Sequence, residues 1–76
     1  MEVVSIQTPY IKLDALLKFS ALAGTGGEAK QIIQDGLVGV NGETCLQRGK
    51  KIYPGDVVSF CGEEISVKQI DFDENQ

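Results

Sequence analysis

From Thr25 to Lys51 the chain reads T-G-G-E-A-K-Q-I-I-Q-D-G-L-V-G-V-N-G-E-T-C-L-Q-R-G-K-K, which is a capped short helix, a glycine stop, a tight hairpin and a basic loop in succession. Thr25, followed three residues later by Glu28, predicts a capping box in which each side chain satisfies a backbone donor near the helix start. Ala29, Ile32 and Ile33 fall on one helical face at i, i+3 and i+4, while Lys30, Gln31 and Gln34 point away. Gly36 suits the left-handed conformation that ends a helix. Val38 and Val40 alternate with Gly39 up to Asn41-Gly42, the strongest short hairpin signal a sequence offers. The chain returns through Glu43, Thr44 and Cys45 and reaches Arg48, Lys50 and Lys51. One hairpin therefore ties a polar helix face to a basic loop.

Upstream, Val3, Val4 and Ile6 form a short β-prone run ended by Thr8-Pro9, suited to either an edge strand or a closing strand. Leu13, Leu16, Leu17, Ser20 and Ala21 recur at helical spacing and predict an amphipathic helix of about ten residues. Lys18 lies opposite its apolar stripe, Lys12 stands at its N-terminal edge, and Gly24 is the expected stop. Two helices joined this tightly meet through their apolar faces. Downstream, Pro54-Gly55 fits a type II turn. Val57 to Cys61 reads as a strand, Gly62-Glu63-Glu64 as a turn, and Ile65 to Lys68 as a last strand with one wet face. The order is strand, helix, helix and four short strands. It predicts an α+β fold with two short helices packed on a small, mostly antiparallel β-sheet. Residues 1–70 are expected to form a single domain, and 71–76, acidic and without apolar periodicity, a frayed tail.

A chain of 76 residues buries only about 60% of its unfolded surface, so its core is modest. The apolar share of 42% and charged share of 24% are those of a globular rather than a disordered chain. The net charge of −4 argues at first against a polyanion partner, but its distribution does not. Residues 11–51 hold six cations against four anions, whereas residues 52–76 hold six acids against Lys68 alone. Charges act over about 8 Å at physiological salt, so a positive face with an acidic back is compatible with the total. Cys45 and Cys61, with no histidine anywhere, form no zinc pattern and are too few for a secreted disulfide framework. They read as reduced, half-buried thiols of a cytoplasmic protein. No apolar run is long enough to span a membrane, and no basic-then-apolar leader opens the chain.

Gly24 to Ala29 formally satisfies the dinucleotide fingerprint G-x-G-x-x-A, but a helix rather than a strand enters it and no βαβ unit can follow. No Gly-Lys-Ser/Thr is present for a Walker-type loop. The glycines serve close approach between helices, and the N–H groups of Gly26, Gly27 and Glu28 offer a cradle for a phosphate. Arg48-Gly49-Lys50-Lys51 is either a solvated loop or a phosphate clamp beside the second helix. Phe19 and Tyr53 are suited to stacking on unpaired bases, although in a small domain they are first expected in the core. Without histidine neither cysteine has its usual general base, and the aspartates stand at helix ends and turns, so no catalysis is expected.

The order L-D-A-L-L-K, G-G-E-A-K-Q-I-I, G-L-V-G-V-N-G, R-G-K-K and G-D-V-V closely resembles the alpha-L RNA-binding domain first recognised in small-subunit ribosomal protein four. The T-G-G-E-A-K form is similar to the small free-standing bacterial members of the YaaA/YbcJ type, and the resemblance covers Ile11 to Phe60. It implies a small, ribosome-associated protein contacting structured RNA, with ribosomal RNA as the candidate, through backbone and shape. Carried over by position, the RNA surface comprises Lys12, Lys30, Gln31, Asn41, Arg48, Lys50 and Lys51, to which the Gly26 and Gly27 amides add. Larger members have Ser-Arg where this chain has Thr25-Gly26, and that arginine commonly meets phosphate, so the departure bears on affinity. A protein-interaction module that keeps the fold without RNA is the alternative. A β-grasp carrier would need a terminal Gly-Gly, where this chain ends Asn75-Gln76. No cofactor, metal, membrane or small-molecule substrate is expected, and the protein is expected to be a monomer.

Overall fold

The computed structural model describes residues 2–70, so the acidic tail expected over 71–76 lies outside the described residues. Strand β1 (Glu2–Ile6) leads through β2 (Ile11–Lys12) directly into helix α1 (Leu13–Phe19). Helix α2 (Gly26–Gln34) follows, then β3 (Val38–Val40), β4 (Glu43–Thr44), β5 (Lys51–Ile52), β6 (Val57–Phe60) and β7 (Glu63–Gln69). Five strands form one sheet in the order β1-β7-β6-β3-β4, antiparallel except for the parallel β1–β7 edge pair. This is the expected α+β architecture. The undecided first strand takes an edge, beside the last.

The core follows from the two periodicities. Leu13, Leu16 and Leu17 of α1 and Ala29 and Ile33 of α2 are fully buried against Val4, Ile6, Val38, Val40, Val58, Ile65 and Val67 of the sheet. These are alternate positions of the strands, so all face the helices while the residues between them face outward. Gly39, midway along β3, stands opposite Ser59 of β6, and a Cβ there would lie 2.9 Å from Ser59 Oγ.

Local chemistry sets the boundaries. Thr25 Oγ1 accepts from the Glu28 N–H at 3.1 Å, the expected cap. The reciprocal arm differs from expectation, because the Glu28 carboxylate accepts from Gly24 N–H. The Asn41-Gly42 turn has φ of 52° and 88°, and Val40 pairs with Glu43 across it, a two-residue hairpin of the mirror-image type I form. Helix α1 is shorter than the sequence suggests and does not run to Gly24. It ends at Ser20, and Ala21 takes the left-handed position at φ 66°. The last turn there is a hairpin with Cys61-Gly62 at its corner, so β7 begins at Glu63 rather than after Glu64.

A second sheet was not expected at all. Strands β2 and β5 pair antiparallel, Ile11 with Ile52 and Lys12 with Lys51. The loop leading into β5 is bonded to the start of α1, with Leu13 N–H donating to Lys50 O at 2.9 Å and Asp14 N–H to Arg48 O at 3.1 Å. Two of the first-turn amides that a helix leaves without partners are thereby satisfied by the basic loop. Three side chains also depart from expectation. Phe19 and Tyr53 are exposed rather than core, and Cys61 is exposed, while Cys45 is half-buried against the core. Both thiols are free.

Candidate functional site

The helix pair, the β2–β5 ribbon and the basic loop meet around the first turn of α1. Residues Asp14, Ala15, Lys18, Phe19, Gly26 and Arg48 line an open groove of about 510 Å³ between α1, the start of α2 and the loop. Asp14 and Lys18, like Ala15 and Phe19, are one turn apart, so these four present the solvent side of α1. Arg48 crosses to α1 and its Nε donates to Asp14 Oδ2 at 3.0 Å. The Asp14 side chain is only 19% exposed and the Arg48 side chain 49%. The pair ties the guanidinium to α1 through Nε while about half of the arginine side chain stays exposed.

The loop thus adjoins α1 as well as α2, where the sequence reading placed it beside the second helix. The ribbon holds Lys12 directly opposite Lys51. Like charges facing across paired strands destabilise a sheet, and among the described residues the ion pair found is that of Arg48, not of these lysines. Lys51 Nζ stands 5.0 Å from the Tyr10 ring centroid, and Tyr10 packs on Tyr53 with centroids 5.8 Å apart. Tyr10 thus gives Lys51 an aromatic face to rest on.

Of the remaining predicted residues, Gly26 and Gly27 form the first turn of α2, where their amides have no carbonyl one turn back to bond. Glu28 turns its carboxylate to Gly24 and does not occupy them. Lys30 is exposed one turn beyond Gly26, on the groove's side of α2. Gln31 donates from Nε2 to Asp35 Oδ1 at 2.9 Å, along its own helix. Lys50 lines a different hollow beside the hairpin, with Val40, Glu43 and Leu46. Asn41 is held elsewhere: its Oδ1 accepts from Val57 N–H at 2.9 Å and its Nδ2 donates to Asp56 Oδ1 at 3.1 Å. That side chain clamps the hairpin to β6 and has a structural task.

Lys18 was passed over in the sequence. A Cβ on Gly26 would lie 4.0 Å from Lys18 Cδ, so the lysine stem lies against the position where larger members of the resembled family carry an arginine. Lys18 of α1 thus brings a cation beside Gly26. The available signal was helical: Lys18 follows Asp14 by four residues on the solvent face.

A pair of short helices on a small sheet, with a hairpin-linked basic loop bonded to the first helix, defines a small α+β module with a cationic edge. The chain belongs to the S4 domain family, whose model matches residues 4–68. It is 41% identical over 59 residues to RlbA of Bacillus subtilis (strain 168), named a probable ribosome maturation protein, over 78% of this chain and 83% of that one. It is 36% identical over 59 residues to YbcJ of Escherichia coli (strain K12), over 78% and 84% of the two chains. The solution structure of Escherichia coli YbcJ, which reveals an alphaL motif involved in RNA-binding, matches with a TM-score of 0.69 at 33% identity, covering 90% of this chain and 87% of that one.

Among the described residues no group of three histidine, cysteine, aspartate or glutamate side chains is placed to hold a metal, and no helix is long and apolar enough to cross a membrane.

Proposed function

We propose that this protein is a cytoplasmic, monomeric RNA-binding module without catalytic activity, and that it contacts structured RNA, ribosomal RNA being the leading candidate, along the edge formed by Lys12, Lys18, Lys30, Arg48 and Lys51. The observation that carries the reading is the ribbon, which holds Lys12 and Lys51 opposite one another at a cost in stability that a polyanion would reverse. Membership of the S4 domain family and the names borne by RlbA and YbcJ support the same partner. Double-stranded RNA shows side chains little base information in its deep groove, so a duplex is recognised by backbone and shape.

The test is the salt dependence of binding to an RNA hairpin. Each neutralised phosphate releases counterions, so log K falls linearly with log salt. Replacing both Lys12 and Lys51 with Ala is expected to flatten that slope by about two contacts and to weaken different hairpins alike, since phosphate contacts position without specifying. Lys68→Ala, on the outer face of β7, serves as control and is expected to leave the slope unchanged. Equal slopes for the parent and the double variant would assign the basic edge to solvent and favour a protein-interaction module.

A further inference from the structure

Phe19 is the most exposed of the large apolar side chains described, at 67%. An isolated exposed phenylalanine on a surface needs no explanation. This one stands at the rim of the groove whose other walls are Lys18, Arg48, Asp14, Ala15 and Gly26. Ala15 precedes it by one turn on the same face, and Gly26 of α2 lines the same groove, so two of its walls are the smallest residues available. They leave open space beside an aromatic face. Two cations flank that space, and Asp14 holds one of them in a fixed direction through the 3.0 Å bond to Nε.

We infer that Phe19 is a stacking platform for one unpaired nucleobase, and that the RNA this groove takes is a helix interrupted by a bulge or loop, not a continuous duplex. The inference rests on the RNA reading above. Bases within a duplex are already stacked on their neighbours and present only their edges, whereas an unpaired base can leave the helix and stack on an aromatic side chain. With the base against Phe19, the phosphate of the same nucleotide meets Lys18 and the terminal N–H groups of Arg48. Asp14 acts as a positioning residue, since it touches the arginine rather than the RNA. The neighbouring hollow on the other side of Phe19, lined by Ser5, Gln7 and Thr8 as well as Ile6, Ile11 and Ile70, carries no charged side chain and would suit a peptide. A peptide seated there would have no use for Lys18 or Arg48, and the charge of the groove therefore favours the nucleotide.

The chain contains no tryptophan, so Phe19→Trp introduces a single indole that reports on the groove. The probes are an RNA hairpin with one bulged adenosine and the same hairpin fully paired, both closed by a hexaethylene glycol linker in place of a nucleotide loop so that no other base is unpaired. The bulged hairpin is expected to quench the indole and the paired one to leave it unchanged. Phe19→Ala is expected to bind the bulged hairpin roughly 5-fold to 150-fold more weakly. Its affinity for the paired hairpin, its salt slope and its urea midpoint are expected to match the parent, because the side chain is mostly in water. If parent and Phe19→Ala bind both hairpins equally with the salt slope intact, the stacking role is overturned while the RNA reading stands. If neither hairpin binds in a salt-dependent manner, the RNA reading fails and the inference with it. An indole that neither hairpin quenches, and that a protein partner shields, assigns Phe19 to a protein contact and overturns the inference.

Discussion

Both helices end in the same backbone device, one with the residue that suits it and one without. After α1, Leu22 N–H donates to Leu17 O at 3.0 Å and Ala21 N–H to Lys18 O at 3.0 Å. After α2, Leu37 N–H donates to Ile32 O at 3.2 Å and Gly36 N–H to Ile33 O at 3.1 Å. These are the paired bonds of the Schellman motif, and the residue between them is left-handed at φ 66° in Ala21 and 77° in Gly36. A residue with a Cβ loses about 1–2 kcal/mol in that conformation. Glycine in turn loses about 0.4–1 kcal/mol more than alanine through the freedom of its unfolded chain. The difference leaves glycine ahead by roughly 0.5–1 kcal/mol, and no packing term intervenes at Gly36, where a Cβ would meet Thr44 and Leu46 at ordinary contact distances of 3.9 and 4.0 Å. Ala21→Gly is therefore expected to stabilise and Gly36→Ala to destabilise by similar amounts. With a urea m-value of about 1 kcal/mol/M for so small a domain, the midpoints move by about 0.5–1 M in opposite directions at unchanged m. Equilibrium urea unfolding followed by circular dichroism reads both. Shifts of the same sign, or a lowered midpoint for Ala21→Gly, would refute the account of strain at Ala21.

Two further expectations concern local hydrogen bonds. Thr25→Ala removes the acceptor for Glu28 N–H and should cost about 1 kcal/mol in thermal or urea unfolding, with Thr25→Ser retaining most of the stability. Asp56→Ala releases both Asn41 Nδ2 and Tyr53 N–H, the latter now bonded at 2.8 Å, and should cost about 1–2 kcal/mol. Its RNA salt slope should match the parent, because the network around Asn41 lies outside the groove; a changed slope would return Asn41 to the binding surface.

What the sequence discloses depends on how locally each feature is determined. Asn41-Gly42, Gly36 and the Thr25 cap are decided by residues within one turn of themselves, and each was legible. Of the stripe Leu13, Leu16, Leu17, Ser20 and Ala21, the first four are buried, whereas Ala21 lies past the helix and is exposed. The β2–β5 ribbon was not legible, because two residues show no period and their pairing depends on Lys50 and Arg48 reaching the start of α1 across 37 and 34 positions. The end of α1 was misjudged because a glycine stood nearby. Ala21 took the left-handed position that Gly24 was expected to fill, and the cost fell on Ala21. Phe19 misled through its composition alone. It follows Leu17 by two residues, which on a helix turns it away from the stripe, and the wheel already placed it in solvent. Of the site, the basic residues could be named but not sorted. Only coordinates separate Lys12 and Lys51, facing one another, from Asn41, whose amide is already occupied.

The parallel pairing of β1 with β7 joins Glu2 to Ile65 and Ile6 to Gln69. During synthesis β1 leaves the ribosome with its partner still untranslated, and it finds that partner only after some sixty further residues have been made. Val4 and Ile6 stay uncovered through that interval, although both helices and the first hairpin can already close around Leu16 and Ile33. Joining segments so far apart in sequence is slow, because the loop entropy is lost before the contacts form. Strand β1 is thus secured only once β7 exists, and a nascent chain stalled before Ile65 carries an unpaired strand edge that other chains can reach.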